Sequence, residues 1–136
     1  MLTIPQSIHD DLIAHAIEGL PLEVCGILAG RDGVVEAMYR VANTDASNVH
    51  FSMDLDEQFA VIKNLRIRGL QMLALYHSHP QTPARPSEED IRWARNPDVS
   101  YLIVSLISPE APVLKSFKIS ADRVQCEQVC IIEQAR

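Results

Sequence analysis

A chain of 136 residues with 47% hydrophobic and 22% charged side chains can bury a core, which excludes a disordered segment. Its formal net charge of -6 gives a nucleic-acid partner no electrostatic support, and no apolar run approaches the roughly 20 residues of a membrane span. Met1-Leu2-Thr3-Ile4-Pro5 lacks the basic-then-apolar order of a secretory signal, and the three cysteines have no framework spacing, so free thiols in a reducing cytoplasm are expected.

No repeat, low-complexity tract or linker interrupts the sequence, and residues 1–136 read as one domain. Ser7 to Glu18 reads as a first helix, with Ser7 and Asp10 as a capping box and Ile8, Leu12, Ile13, Ala16 and Ile17 as an apolar stripe. Val24 to Ala29 and Val34 to Val41 read as a β-hairpin around Gly30-Arg31-Asp32-Gly33. A polar loop, Asn43 to Asn48, leads to a short strand at His50 to Met53. The second helix starts with Asp54 and Glu57 as another capping box and ends near Gly69, with Leu55, Phe59, Ile62 and Leu65 on one side. Met72 to His77 is the continuous apolar run of a central strand.

Three prolines make residues 80 to 86 a loop, and a short helix follows from Ser87 to about Arg95. Trp93 is expected to pack that helix against the sheet. Tyr101 to Ile107 and Val113 to Ile119 pair as strands, and Val124 to Ile132 is a last strand with Cys126 and Cys130 facing the core on one side. Strands and helices mix without a strict βαβ rhythm. The fold class is therefore α+β (mixed α/β), a central mixed sheet flanked by helices.

The chemistry concentrates in His77-Ser78-His79-Pro80 and the later Ser87-Glu88-Glu89-Asp90, which together read H-S-H-P-x6-S-x-x-D. His77 and His79 are two apart at a strand end, so both imidazoles leave one face of the sheet while Ser78 points away. A lone H-x-H is common in a chain with five histidines, and a lone S-x-x-D is an ordinary helix cap. Here the cap and the site do not compete: Ser87 as N-cap fixes the turn that aims Asp90 across the proline loop at the histidines, leaving Glu88 and Glu89 in solvent. Two imidazoles and one carboxylate hold zinc with its fourth position open, as in a catalytic site. Such a hydrolase also needs a proton shuttle, and Glu23 at the entrance of the first hairpin is the candidate. Cys25 reads as a small core residue, and His9, His15 and His50 as surface or capping residues.

Glu23 in E-x-C-G, upstream of H-S-H-P-x6-S-x-x-D, resembles the motif of the JAMM (MPN+) metalloproteases, whose domain resembles the cytidine-deaminase fold. The resemblance runs from about Leu20 to Phe117 with every element in order. It implies one Zn2+ per chain on His77, His79 and Asp90. It also implies Glu23 as the general base that takes a proton from the attacking water and hands it to the leaving amine, and Ser87 as a hydrogen-bond donor to the developing oxyanion. The chain looks like the compact prokaryotic members. The implied substrate is then a peptide or isopeptide bond after the C-terminal Gly-Gly of a ubiquitin-like or sulfur-carrier protein. A tail without side chains must be gripped by its backbone, so an exposed strand edge beside the metal is expected. Two rival readings remain: a zinc amidohydrolase acting on a small molecule, and a non-catalytic, zinc-stabilised scaffold module. The deaminase signature H-x-E…P-C-x-x-C is absent.

Overall fold

The computed structural model describes residues 1–133; Gln134, Ala135 and Arg136 lie outside the described residues. Strand β1 (Leu2–Pro5) runs directly into helix α1 (Gln6–Gly19), and the hairpin β2 (Cys25–Arg31) and β3 (Val34–Val41) follows. Asp32 (φ 53°) and Gly33 (φ 76°) form a two-residue connection with both φ values positive, the turn geometry that matches strand twist. Helix α2 (Leu55–Ile67) precedes the central strand β4 (Gln71–His79), and α3 (Glu88–Trp93) follows the proline loop. The chain then adds β5 (Ser100–Ser105), β6 (Val113–Ser120), β7 (Arg123–Glu127) and β8 (Val129–Ile132).

The strands form one mixed sheet in the order β7-β6-β5-β4-β2-β3-β1-β8. β4 with β5, and β1 with both β3 and β8, are parallel; the other neighbours are antiparallel. The expected mixed sheet flanked by helices is therefore present. β7 and β8 occupy opposite edges although only Gln128 separates them. Residues two apart cannot span more than about 7 Å, so the sheet curls until its edges meet at Gln128. Leu2 N–H donates to Gln128 O at 3.0 Å across that corner.

Strand alternation divides the core. Ala74 and Tyr76 of β4 point to the side where Leu12 and Ala16 of α1 pack with Leu28, Leu102 and Val104. Leu75 points to the opposite side, where Val61 and Leu65 of α2 meet Cys25, Ile27 and Val41. Each such fully buried aliphatic side chain contributes about 1.5–3 kcal/mol of transfer free energy. His77 and His79 share the parity of Leu75, so they leave the sheet on the α2 and α3 side. No helix among the described residues is long and apolar enough to cross a membrane.

Several expectations are corrected. Ser7 lies inside α1 and caps nothing, because Pro5, coming straight from β1, takes the N-cap position. Of the expected stripe on α2, Leu65 is buried and Ile62 half-buried, whereas Leu55 and Phe59 are 68% and 65% exposed; Val61 joins Leu65 on the buried side, because position against the sheet decides which residues are covered. Residues 50 to 53 form no strand and contribute only the single bridge of Met53 to Asn43. The last strand breaks into β7 and β8, leaving Cys126 exposed and Cys130 half-buried rather than side by side in the core. Trp93 is 63% exposed, with the Arg95 guanidinium 5.2 Å from its ring centre, and does not pack on the sheet.

Candidate active site

His77 and His79 stand at the C-terminal end of β4, 4% exposed each. Asp90 comes from the first turn of α3, and its position follows from local chemistry. Ser87 Oγ accepts the Asp90 N–H at 3.0 Å, and Asp90 Oδ2 accepts the Ser87 N–H at 2.9 Å. This reciprocal box satisfies two helix-end donors and turns the carboxylate back toward β4. His77 Nε2 lies 3.2 Å and His79 Nε2 3.0 Å from Asp90 Oδ2, and the two ring nitrogens are 3.1 Å apart. Glu88 and Glu89 are exposed, as expected.

The three atoms form a nearly equilateral triangle of lone-pair donors, which repel unless a proton or cation lies among them. Four zinc bonds of about 2.0–2.1 Å in a tetrahedron would hold donors about 3.3–3.4 Å apart, close to the spacing here. His79 Nδ1 is 2.8 Å from Pro83 O; a carbonyl only accepts, so Nδ1 carries the proton and Nε2 keeps its lone pair. Burial pushes His77 below the ordinary imidazole range despite the Asp90 carboxylate, which favours the neutral, ligating form. Burial also lowers His79, but Asp90 and the Pro83 carbonyl outweigh it and raise it. Burial would raise Asp90, yet the adjoining His77 and His79 imidazoles, with the Ser87 N–H, hold it far below the usual carboxylate range. Two imidazole nitrogens and one carboxylate oxygen make a donor set that fits a divalent metal.

The surroundings hold these side chains in place. Phe51 stacks on His77, with ring centres 4.5 Å apart and planes 25° from parallel. Ser105 Oγ donates to Thr82 O at 2.6 Å and ties the proline loop to β5. Ser78, completely buried, points away from the imidazoles, as strand alternation requires.

Glu23 sits between α1 and β2, 5% exposed, and its Oε1 has no hydrogen-bond partner among the described residues. Burial pushes its carboxyl up to about 7, the His79 imidazole partly opposing this and Asp90 adding to it. A buried, unpartnered carboxyl with a pKa near neutrality is suited to exchanging protons. Cys25 is no rival: its Sγ–H donates to Val41 O at 3.4 Å, and burial pushes the thiol up to about 12, so it stays protonated. His9 and His50 pair with Asp10 and Asp45 at the surface, while His15 is half-buried against the Tyr76 hydroxyl at 2.7 Å, a contact its sequence context does not announce.

A cavity of about 300 Å3 opens beside His77 and Asp90, lined among others by Phe51, Met53, Gln58, Glu89, Trp93 and Tyr101. Phe51, Trp93 and the Pro83 carbonyl enter the site without a sequence motif. The expected strand edge beside the metal site is not found among the described residues, because β4 is paired on both sides, by β2 and β5, and the edges belong to β7 and β8.

Residues 5–120 match the family described as prokaryotic homologs of the JAB domain. The CysO-cysteine peptidase of Mycobacterium tuberculosis is 32% identical over 136 residues, covering 98% of this chain and 93% of its own. The desampylase of Haloferax volcanii is 33% identical over 111 residues, 76% of this chain and 80% of its own. The solution structure of a Desulfitobacterium hafniense protein agrees with a TM-score of 0.91 at 47% identity, over 98% of this chain and 94% of that one. Alignment along nearly the whole length, together with two buried histidines meeting a half-buried aspartate, leaves one assignment: the chain belongs to the compact prokaryotic JAMM metalloprotease family, the prokaryotic homologs of the JAB domain.

Proposed function

We propose that this chain is a zinc-dependent peptidase that hydrolyses the peptide or isopeptide bond after the C-terminal Gly-Gly of a ubiquitin-like or sulfur-carrier protein. The observation that carries the reading is the convergence of His77, His79 and Asp90 within 3.0–3.2 Å of one another. The relatives support the substrate class: one is named for cleaving a CysO–cysteine bond, the other is a desampylase.

His77, His79 and Asp90 would hold one zinc ion per chain. When bound, zinc supplies Lewis acidity for water and the scissile carbonyl. Glu23 takes the proton of the attacking water and delivers it to the leaving amine; a carboxyl near pKa 7 is half-ionised at neutral pH and can do both. Ser87 Oγ accepts the Asp90 amide, so its own O–H remains free to donate to the oxyanion. The fully paired β4 leaves the tail to be held from the loops flanking the site, residues 42–54 and 80–86, rather than by strand addition to β4. The reducing cytoplasm is the compartment that suits three free thiols.

Mass spectrometry of carrier fusions with Gly-Gly and Gly-Val junctions tests this function. Cleavage only after Gly-Gly, abolished by chelation and restored by zinc, is expected. Equal cleavage of both junctions, or of neither with zinc bound, would refute the substrate class. Glu23→Gln should retain zinc while turnover drops about 10²–10⁴-fold.

A further inference from the structure

Nothing bonded to Glu23 Oε1 orients the carboxyl, so its direction depends on its backbone. That backbone precedes β2 and lies outside the strand ladder. Even so, both polar ends of the Glu23–Val24 peptide are held by side chains. Asn43 Nδ2 donates to Glu23 O at 3.1 Å, and the Val24 N–H donates to Ser78 Oγ at 2.9 Å. Two backbone bonds complete the arrangement: Glu23 N–H to Ser47 O at 2.7 Å and Ser78 N–H to Val24 O at 3.0 Å.

The two arms come from the pieces that must be aligned with Glu23. Ser78 stands between His77 and His79 and is completely buried. Asn43 opens the loop that carries Phe51, the ring stacked on His77. Its amide is used on every side: Nδ2 also donates to His50 O at 3.2 Å, and Oδ1 accepts the N–H groups of Asp45 at 3.1 Å and Ser52 at 3.0 Å. We propose that Asn43 and Ser78 are positioning residues that clamp the Glu23–Val24 peptide from both sides and so set where the Glu23 carboxyl stands relative to the two imidazoles. This rests on the reading of Glu23 as the general base. A displacement of the order of 1 Å at a reacting group costs about 10²-fold in rate, so the clamp acts on turnover.

Two variants separate this role from plain loop or core support. Asn43→Asp keeps an oxygen for the Asp45 and Ser52 amides, and with it the turn of the loop, but can no longer donate to Glu23 O or to His50 O. Ser78→Ala removes the acceptor of the Val24 amide without touching the loop. The zinc-loaded full chain is assayed on a Gly-Gly carrier fusion for kcat and KM, with metal content and amide hydrogen exchange measured on the same samples. Both variants are expected to keep zinc and a KM within about twofold while kcat falls about 10²-fold. The Val24 amide should exchange at least about tenfold faster in Ser78→Ala. Unchanged kcat in either variant, zinc lost in step with activity, or unaltered Val24 exchange would each overturn the clamp. Glu23→Gln serves as the control. If Glu23→Gln is inactive and Asn43→Asp is not, the clamp alone fails. If Glu23→Gln is fully active the base assignment fails instead, and Val24 exchange still decides whether the peptide is held as described.

Discussion

Ser7-x-x-Asp10 and Ser87-x-x-Asp90 are the same four-residue pattern placed at the start of two helices, and only the second becomes a cap. In α1 the strand β1 delivers Pro5 to the N-cap position, so Ser7 falls one residue inside the helix, and Asp10 accepts a hydrogen bond from Gln6 Nε2 at 2.8 Å on the surface. In α3 the proline loop arrives extended, Ser87 adopts φ -76° and ψ 170°, and the box closes. The pattern is permissive; the backbone entering it decides. Where the box closes, it does more than end a helix, since the carboxylate that accepts the Ser87 amide also faces two imidazoles.

The most severe test of that contrast is to remove both aspartates in parallel. Asp90→Ala should lose bound zinc and all measurable turnover, whereas Asp10→Ala, exposed and making only surface bonds, should leave zinc and activity unchanged and stability within about 0.5 kcal/mol. Zinc content by elemental analysis decides it; full occupancy in Asp90→Ala would sink the ligand assignment. Next in size is Ser87→Ala, expected to cost about 10²–10³-fold in turnover through the lost oxyanion donor and about 1 kcal/mol of stability through the lost cap. Ser87→Gly sharpens this, because glycine caps almost as well: turnover should fall equally while the denaturation midpoint barely moves.

Glu23 and Asp90 form a second contrast, a buried and a half-buried carboxyl with opposite electrostatics. Asp90 accepts the Ser87 amide beside two imidazoles and stays ionised; Glu23 has no partner for Oε1 among the described residues and is pushed up by burial from 4.5 to about 7. Between those pH values folded Glu23 retains a proton that the unfolded chain releases, so stability falls as pH rises. For zinc-free protein the loss is at most about 3 kcal/mol. Thermal unfolding at pH 5 and pH 7 should show that decline in the native chain and a flatter profile in Glu23→Gln; identical profiles would show that Glu23 is not strained by burial. The smallest expected effect belongs to Ser7→Ala, which should change stability by less than about 0.5 kcal/mol, since the hydroxyl caps nothing.

The site was legible because its parts are local. H-x-H is a strand-end pair, S-x-x-D is one helical turn, and seven residues bridge His79 and Ser87. The helices and the inner strands follow from periodicity for the same reason. What escaped is non-local. β1 is four residues long and ends in proline, and it exists because it can pair with β3 and β8. The break at Gln128 follows from sheet closure, which no hydrophobic pattern encodes. On α2, Leu55 and Phe59 sit at helical spacing to Leu65 through Ile62, just as Val61 does directly, and only the docked sheet decides which of them it covers. Asn43 gathers partners from residues 23 to 52 and reads in sequence as one more polar loop residue.

The curled sheet has a consequence for how the chain is made. Leu2 pairs with Val129, so β1 waits for β8 before its outer edge is covered. Everything the metal site needs lies between Glu23 and Ser105, and those strands neighbour one another in the middle of the sheet. During synthesis at about 5–20 residues per second, the ribosome releases the parts of the site well before β8 emerges to close the seam. Loop-closure entropy also makes β1 with β8 the slowest pairing to form. Chemistry and closure are thus separated in time: the centre of the molecule can be assembled first, and β1 and β8 seal it afterwards.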